Sequence, residues 1–164
     1  MLNKYLYHAT PACYVNSIKK YGLGGKIPKV RFWDYKNTPY EKIEQGCFLA
    51  TDEYVAESYV ENSEAFEELS DIYEERYDKE LEIVVFKINI KDLDLSLLSI
   101  DENQLVDEDT DPTYFYNGVI PFKNLIKINL YESLITAIEK SIIKALNESC
   151  NVKDILKNKR DLKI

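Results

Sequence analysis

The sequence predicts an α+β domain built on a largely antiparallel or split sheet, and three observations carry that prediction. Candidate elements run strand, helix, loop, strand, helix and then several strands, without the regular strand–helix alternation of a parallel sheet. The 164 residues match the size of one ordinary domain, and 45% of them are hydrophobic, enough for a core. No internal repeat and no Pro/Gly-rich linker divides the chain. A doubly wound nucleotide-binding fold is thereby disfavoured.

Each element follows from local pattern. Residues 4–8 read as a strand with Tyr5 and Tyr7 on one face and Leu6 and His8 on the other. Thr10 is placed to cap a helix, with Pro11 at its first position, Tyr14, Val15, Ile18 and Tyr21 on its apolar side and Gly22 to stop it. Residues 24–45 show no clear element and contain the turn sequence Asn37-Thr38-Pro39, which suits a binding loop. Gly46 to Ala50 reads as a short buried strand. Thr51 is the expected cap of the next helix, with Asp52 and Glu53 in its first turn.

That helical region is expected to reach about Asp78, with a break near Asn62-Ser63. Ala56, Tyr59, Phe66, Leu69 and Ile72 or Tyr73 recur at helical spacing against an acidic opposite face. Residues 82–90 form the clearest strand. A short apolar stretch, 93–100, and an acidic loop, 101–111, follow. Tyr114-Phe115-Tyr116 and residues 125–130 read as further strands, separated by turn material at Asn117-Gly118 and Pro121. Leu134, Ile135, Ile138, Ile142 and Leu146 then mark a helix over 131–149. The expected organisation is a domain over 1–130 and a C-terminal helical extension, 131–164, packed on it.

Composition removes several functions. Lys and Arg number 21 against 29 Asp and Glu, a net charge of -8, which argues against binding through neutralised nucleic-acid phosphates. No apolar run approaches the ~18 residues of a membrane span, and no signal-peptide pattern opens the chain. Three widely spaced cysteines without a Cys-x-x-Cys pair point away from disulfides and cysteine zinc sites and toward a cytoplasmic setting. His8 is the sole histidine, so paired-histidine metal sites are impossible. Asp107, Asp109 and Asp111 imitate the start of a calcium loop. Pro112 and Gly118 stand where its glycine and glutamate belong, and the calcium reading fails.

Taken singly, the remaining candidates have structural readings: a strand-end histidine, a capping threonine, a core Phe48 and a helix-face Tyr59. Their order says more. His8 with Thr10 two positions on, then Tyr21-Gly22-Leu23, then Gly46-Cys47-Phe48-Leu49-Ala50 with Ala56 and Tyr59 following, resembles the ADP-ribosyltransferase superfamily. That superfamily includes poly(ADP-ribose) polymerases, rifamycin ADP-ribosyltransferases and RNA 2'-phosphotransferases. Residues 111–126 are similar to the aromatic–Gly–x–Ile-Pro segment that leads into the last strand of many small bacterial and phage members. The resemblance covers about residues 4–130.

The resemblance implies a split antiparallel sheet with flanking helices and an enzyme that uses NAD as co-substrate. His8 would bind an NAD ribose hydroxyl. Ala9 would offer its backbone N–H and C=O to the nicotinamide amide, and Thr10 a hydroxyl contact. Phe48 and Tyr59 would stack on the two sides of the pyridinium, which area burial and cation–π attraction favour. A carboxylate would stabilise the oxocarbenium-like transition state. The glutamate expected before the final Gly-x-Ile-Pro turn is absent, with Thr113 and Tyr114 in that stretch. By analogy with the rifamycin-modifying branch, Asp101 is the first candidate and Asp111 the second.

The expected function is transfer of ADP-ribose to a protein, nucleic-acid or small-molecule acceptor with release of nicotinamide. The acidic surface favours a protein or small-molecule acceptor. Toxin, defence and resistance roles are all compatible. Two alternatives stay open: an inactive interaction or inhibitor protein acting through its acidic helix, and an RNA 2'-phosphotransferase, which three unclustered arginines (Arg31, Arg76, Arg160) disfavour.

Overall fold

Strand β1 (Tyr5–Pro11) opens the fold of the computed structural model, which describes residues 4–26, 43–101, 112–129 and 141. The chain forms two compact units, Met1–Ile128 and Asn129–Ile164, and every element named below belongs to the first. Helix α1 (Val15–Tyr21) follows a single 3-10 turn at Ala12–Tyr14. Then come β2 (Cys47–Leu49), α2 (Glu53–Glu61), α3 (Glu64–Tyr77) and β3 (Ile83–Asn89). Short strands β4 (Leu98–Ile100), β5 (Tyr114–Tyr116) and β6 (Leu125–Ile128) complete the unit. The expected α+β class holds. The expected helix over 131–149, most of the 24–45 stretch and the acidic loop after Asp101 lie outside the described residues.

The strands form two antiparallel three-stranded sheets, ordered β1-β3-β6 and β2-β5-β4. They meet where β1 and β2 exchange two hydrogen bonds: Tyr7 N–H donates to the Ala50 carbonyl at 2.9 Å, and Ala50 N–H to the Tyr7 carbonyl at 2.8 Å. A second bridge, Leu23 with Ile120, ties the end of α1 to the turn before β6.

The two faces of this array differ. On one, Leu6, Val84, Phe86 and Ile88 pack with Ile18 of α1 and with Cys47, Leu49 and Tyr116 of the second sheet, and Leu6 and Ile88 are fully buried. On the other, α2 lies against β1 and β3. Ala56 and Val60 of α2 are buried there, as are Ala9 and Val85, outside the first cluster. The period-2 alternation of β1 assigns Tyr5, Tyr7 and Ala9 to the α2 face and Leu6 to the α1 face.

Three end signals are corrected. Thr10 does not cap a helix: β1 runs on through Pro11, which precedes the 3-10 turn rather than opening α1, and neither that turn nor α1 has a side-chain cap. Extended pairing with β3, as far as Pro11 opposite Ile83, holds Thr10 in the strand. Asp52, not Thr51, caps α2, accepting from the N–H groups of Tyr54 at 2.8 Å and Val55 at 3.2 Å, because the carboxylate both bonds and counters the helix dipole. Gly22 does end α1, at φ 80°. Ser63 restarts the helix after the break at Asn62, accepting from Phe66 N–H at 3.2 Å.

Candidate functional site

The sheets part immediately after the Tyr7–Ala50 bridge, and hydrogen-bond alternation shows what that exposes. In an antiparallel ladder the N–H and C=O of one residue point to the same side. Those of Tyr7 point to β2, so those of Ala9, two residues on, point the same way and away from β3. Pro11, two further on, occupies the same outward register and has no N–H to leave unpaired. Continued pairing would join Ala9 to Phe48, yet Tyr7–Ala50 is an isolated bridge. No described residue takes up the outward N–H and C=O of Ala9, although Ala9 is 6% exposed.

His8 stands where the strands part. Its Nδ1 lies 2.9 Å from the Phe48 carbonyl, the acceptor the Ala9 N–H would otherwise use. The imidazole acts as a wedge, satisfying β2 and leaving β1 open. A carbonyl can only accept, so Nδ1 carries the proton of the neutral ring and Nε2 presents a lone pair. The residue is half-buried, but protein closes around the ring, and desolvation lowers its pKa below the ordinary 6.5 against the opposing pull of the Phe48 carbonyl. His8 is therefore a neutral acceptor at pH 7.

Phe48 shares the α2 face. Its neighbours Cys47 and Leu49 enter the opposite core cluster, and its ring packs against Phe115, its cross-strand partner, with centroids 5.1 Å apart. Gly46 sets the entry to this strand. It adopts φ 127°, and a Cβ there would lie 2.5 Å from the Phe115 ring, so only glycine fits. Tyr59 lies on α2, the helix over the same face, half-buried beside fully buried Val60.

Asp101 belongs to that face as well. Its N–H donates to the Thr113 carbonyl at 2.9 Å, which continues the β4–β5 ladder by one pair, and Thr113 Oγ1 donates to Asp101 Oδ2 at 3.4 Å. Extending the β2–β5 register pairs Ala50 with Thr113, so Tyr7, Ala50, Thr113 and Asp101 form one row across four strands. The Asp101 backbone stands two strand spacings from Ala50, roughly 10 Å.

Of the expected site residues, the array gathers His8, Ala9 and Phe48 at one seam, with Tyr59 on the helix packed against β1 and Asp101 two strands away from β2. Thr10 departs from this grouping: it is 5% exposed and pairs with Val84 beside the α1-side core. Asp111 lies outside the described residues. Two polar contacts escaped sequence reasoning. One is the Thr113–Asp101 contact, in the stretch where the resemblance implies a glutamate. The other is the approach of Tyr7 to Glu53 in the first turn of α2. Burial, then the charges of Glu53 and Asp52, push that phenol up to about 12. Strand alternation alone could have placed Tyr7 beside Ala9 on this face.

Among the described residues no three His, Cys, Asp or Glu side chains are grouped to hold a metal, and no helix is long and apolar enough to cross a membrane. The chain matches no family model, no curated protein and no solved structure.

Proposed function

We propose that the chain is an NAD-dependent ADP-ribosyltransferase and that its site lies at the seam between β1 and β2. The observation that carries this reading is the buried Ala9 peptide, with one donor and one acceptor turned outward beside the His8 wedge. A primary carboxamide offers the complementary acceptor and donor, and nicotinamide has such a group on a flat cationic ring. Buried backbone groups are almost always paired, and no described residue pairs these two, which suits a ligand at this edge.

The neighbouring side chains fit the same substrate. His8, neutral with Nε2 as acceptor, suits a ribose hydroxyl. Phe48, backed by Phe115, offers one aromatic wall, and Tyr59 supplies the other. Asp101 supplies the carboxylate that stabilises positive charge developing on the ribose. In the step proposed, the bond between ribose C1' and the pyridinium nitrogen breaks, and its electron pair leaves with neutral nicotinamide. A lone pair on the acceptor forms the new bond to C1', and the acceptor's proton passes to a carboxylate or to solvent. The acidic chain favours a protein or small-molecule acceptor over nucleic acid.

Incubation with labelled NAD and cell lysate tests the reading. Labelled product with nicotinamide release is expected, and the absence of both overturns it. One observation favours a second reading, an interaction protein of the same architecture. Helix α3 buries none of its 14 residues and leaves Ile72 60% exposed. NAD binding without turnover would support that reading.

A further inference from the structure

Transferases of the proposed kind need a carboxylate beside the nicotinamide ribose, and the β5 position nearest β2 holds Thr113, which has none. We propose that Thr113 is a positioning residue, which draws the Asp101 carboxylate from β4 toward β2 and the β1–β2 seam beyond it. The inference rests on the transferase reading above.

Register makes the two residues a cross-strand pair: Asp101 N–H donates to the Thr113 carbonyl at 2.9 Å, so both side chains leave the same face. That face also carries Phe115, two residues on from Thr113 and packed on Phe48. Asp101 begins one strand spacing farther from β2 than Thr113 does, roughly 5 Å, and an aspartate is too short to cover that distance unaided. The donor that meets it lies on the required side. Thr113 Oγ1 is 3.4 Å from Oδ2, a long hydrogen bond of the sort that tightens when substrate arrives.

Two features keep this donor in place. Thr113 is 5% exposed, and its β-branched side chain has few rotamers in a strand. Ala50, its neighbour across β2–β5, is 3% exposed and small, so no bulky side chain on that row stands between the carboxylate and the seam. Threonine thus divides the work of one glutamate between two strands, with β4 supplying the charge and β5 its orientation.

The test follows nicotinamide release from NAD, in the lysate that supports wild-type turnover, for Thr113→Val, Thr113→Ser and Asp101→Asn. Thr113→Val keeps the shape and removes the hydroxyl. It is expected to lower kcat about tenfold with KM for NAD little changed, and Thr113→Ser to restore most of the loss. Asp101→Asn is expected to lose about a hundredfold, and adding Thr113→Val to it to lose nothing more. Should valine fail to fold, as judged by circular dichroism, the serine variant and Thr113→Ala carry the comparison. Full kcat in Thr113→Val, or in Thr113→Ala, beside an inactive Asp101→Asn overturns the positioning role and leaves the transferase reading standing. A wild-type chain that releases no nicotinamide overturns both.

Discussion

The α1 face and the α2 face of the same strands are built by opposite rules. Under α1, Leu6, Phe86, Ile88, Leu49 and Ile120 are at most 1% exposed. Under α2 the sheet carries Tyr7 beside Glu53, Thr113 against Asp101, and Ala9, whose outward N–H and C=O no described residue takes up. One face is closed with aliphatic and aromatic volume. The other keeps polar groups partly dehydrated, where hydrogen bonds and charges act most strongly. On the proposed reading, stability belongs to the first face and chemistry to the second, although the two are separated by the thickness of one strand.

The sharpest way to break this division is to empty the closed face. Phe86→Ala is expected to cost about 3–5 kcal/mol by removing a ring buried against Phe122, read as a lower midpoint in urea unfolding. If that variant kept its stability, the core would have to lie elsewhere. At the β1–β2 seam the expected pattern reverses. His8→Ala should weaken NAD binding or turnover about tenfold or more, while stability falls by about 1 kcal/mol or less. Calorimetric titration with NAD beside a thermal melt separates the two effects, and full activity would remove His8 from the site.

Between these extremes stands the cap of α2. Asp52→Ala should cost about 1 kcal/mol by freeing the Tyr54 and Val55 N–H groups. It should also loosen the helix that carries Tyr59, seen as faster amide exchange in the first turn of α2.

The pH dependence is subtler and has a defined sign on each flank. Folding holds His8 neutral, so stability falls as pH drops below 6.5, where the unfolded chain takes up a proton that the folded chain resists. Folding holds Tyr7 protonated, so stability falls as pH rises from 10.0 toward about 12. Tyr7→Phe should flatten the alkaline flank of the melting curve alone, and an unchanged flank would remove the Tyr7–Glu53 contact from the account.

Much of this architecture was legible because hydrophobic period and end signals agreed. The α2–α3 break at Asn62-Ser63, the alternation of β1 and the strand after Glu82 all follow from local pattern. The caps were misplaced for a physical reason: several oxygen-bearing side chains stood near each helix start, and tertiary pairing chose among them. Thr10 was claimed by a ladder with β3, whose partner lies more than seventy residues away, and Thr51 lost to a charged neighbour. His8, Ala9 and Phe48 could be proposed as site residues from their order. Their relation could not, because the wedge depends on the register of β1 against β2, and the sequence does not print register. Thr113 was invisible for the same reason, since its meaning comes from the residue opposite it.

The Tyr7–Ala50 bridge behaves as the last closed tooth of a zip, and His8 is the obstruction lodged beyond it. Removing the imidazole deletes one hydrogen bond but frees the Phe48 carbonyl to meet the Ala9 N–H, so the fastening can advance by one step. On the proposed reading, a chain relieved of its histidine would then be sealed rather than loosened, with the site lost through closure.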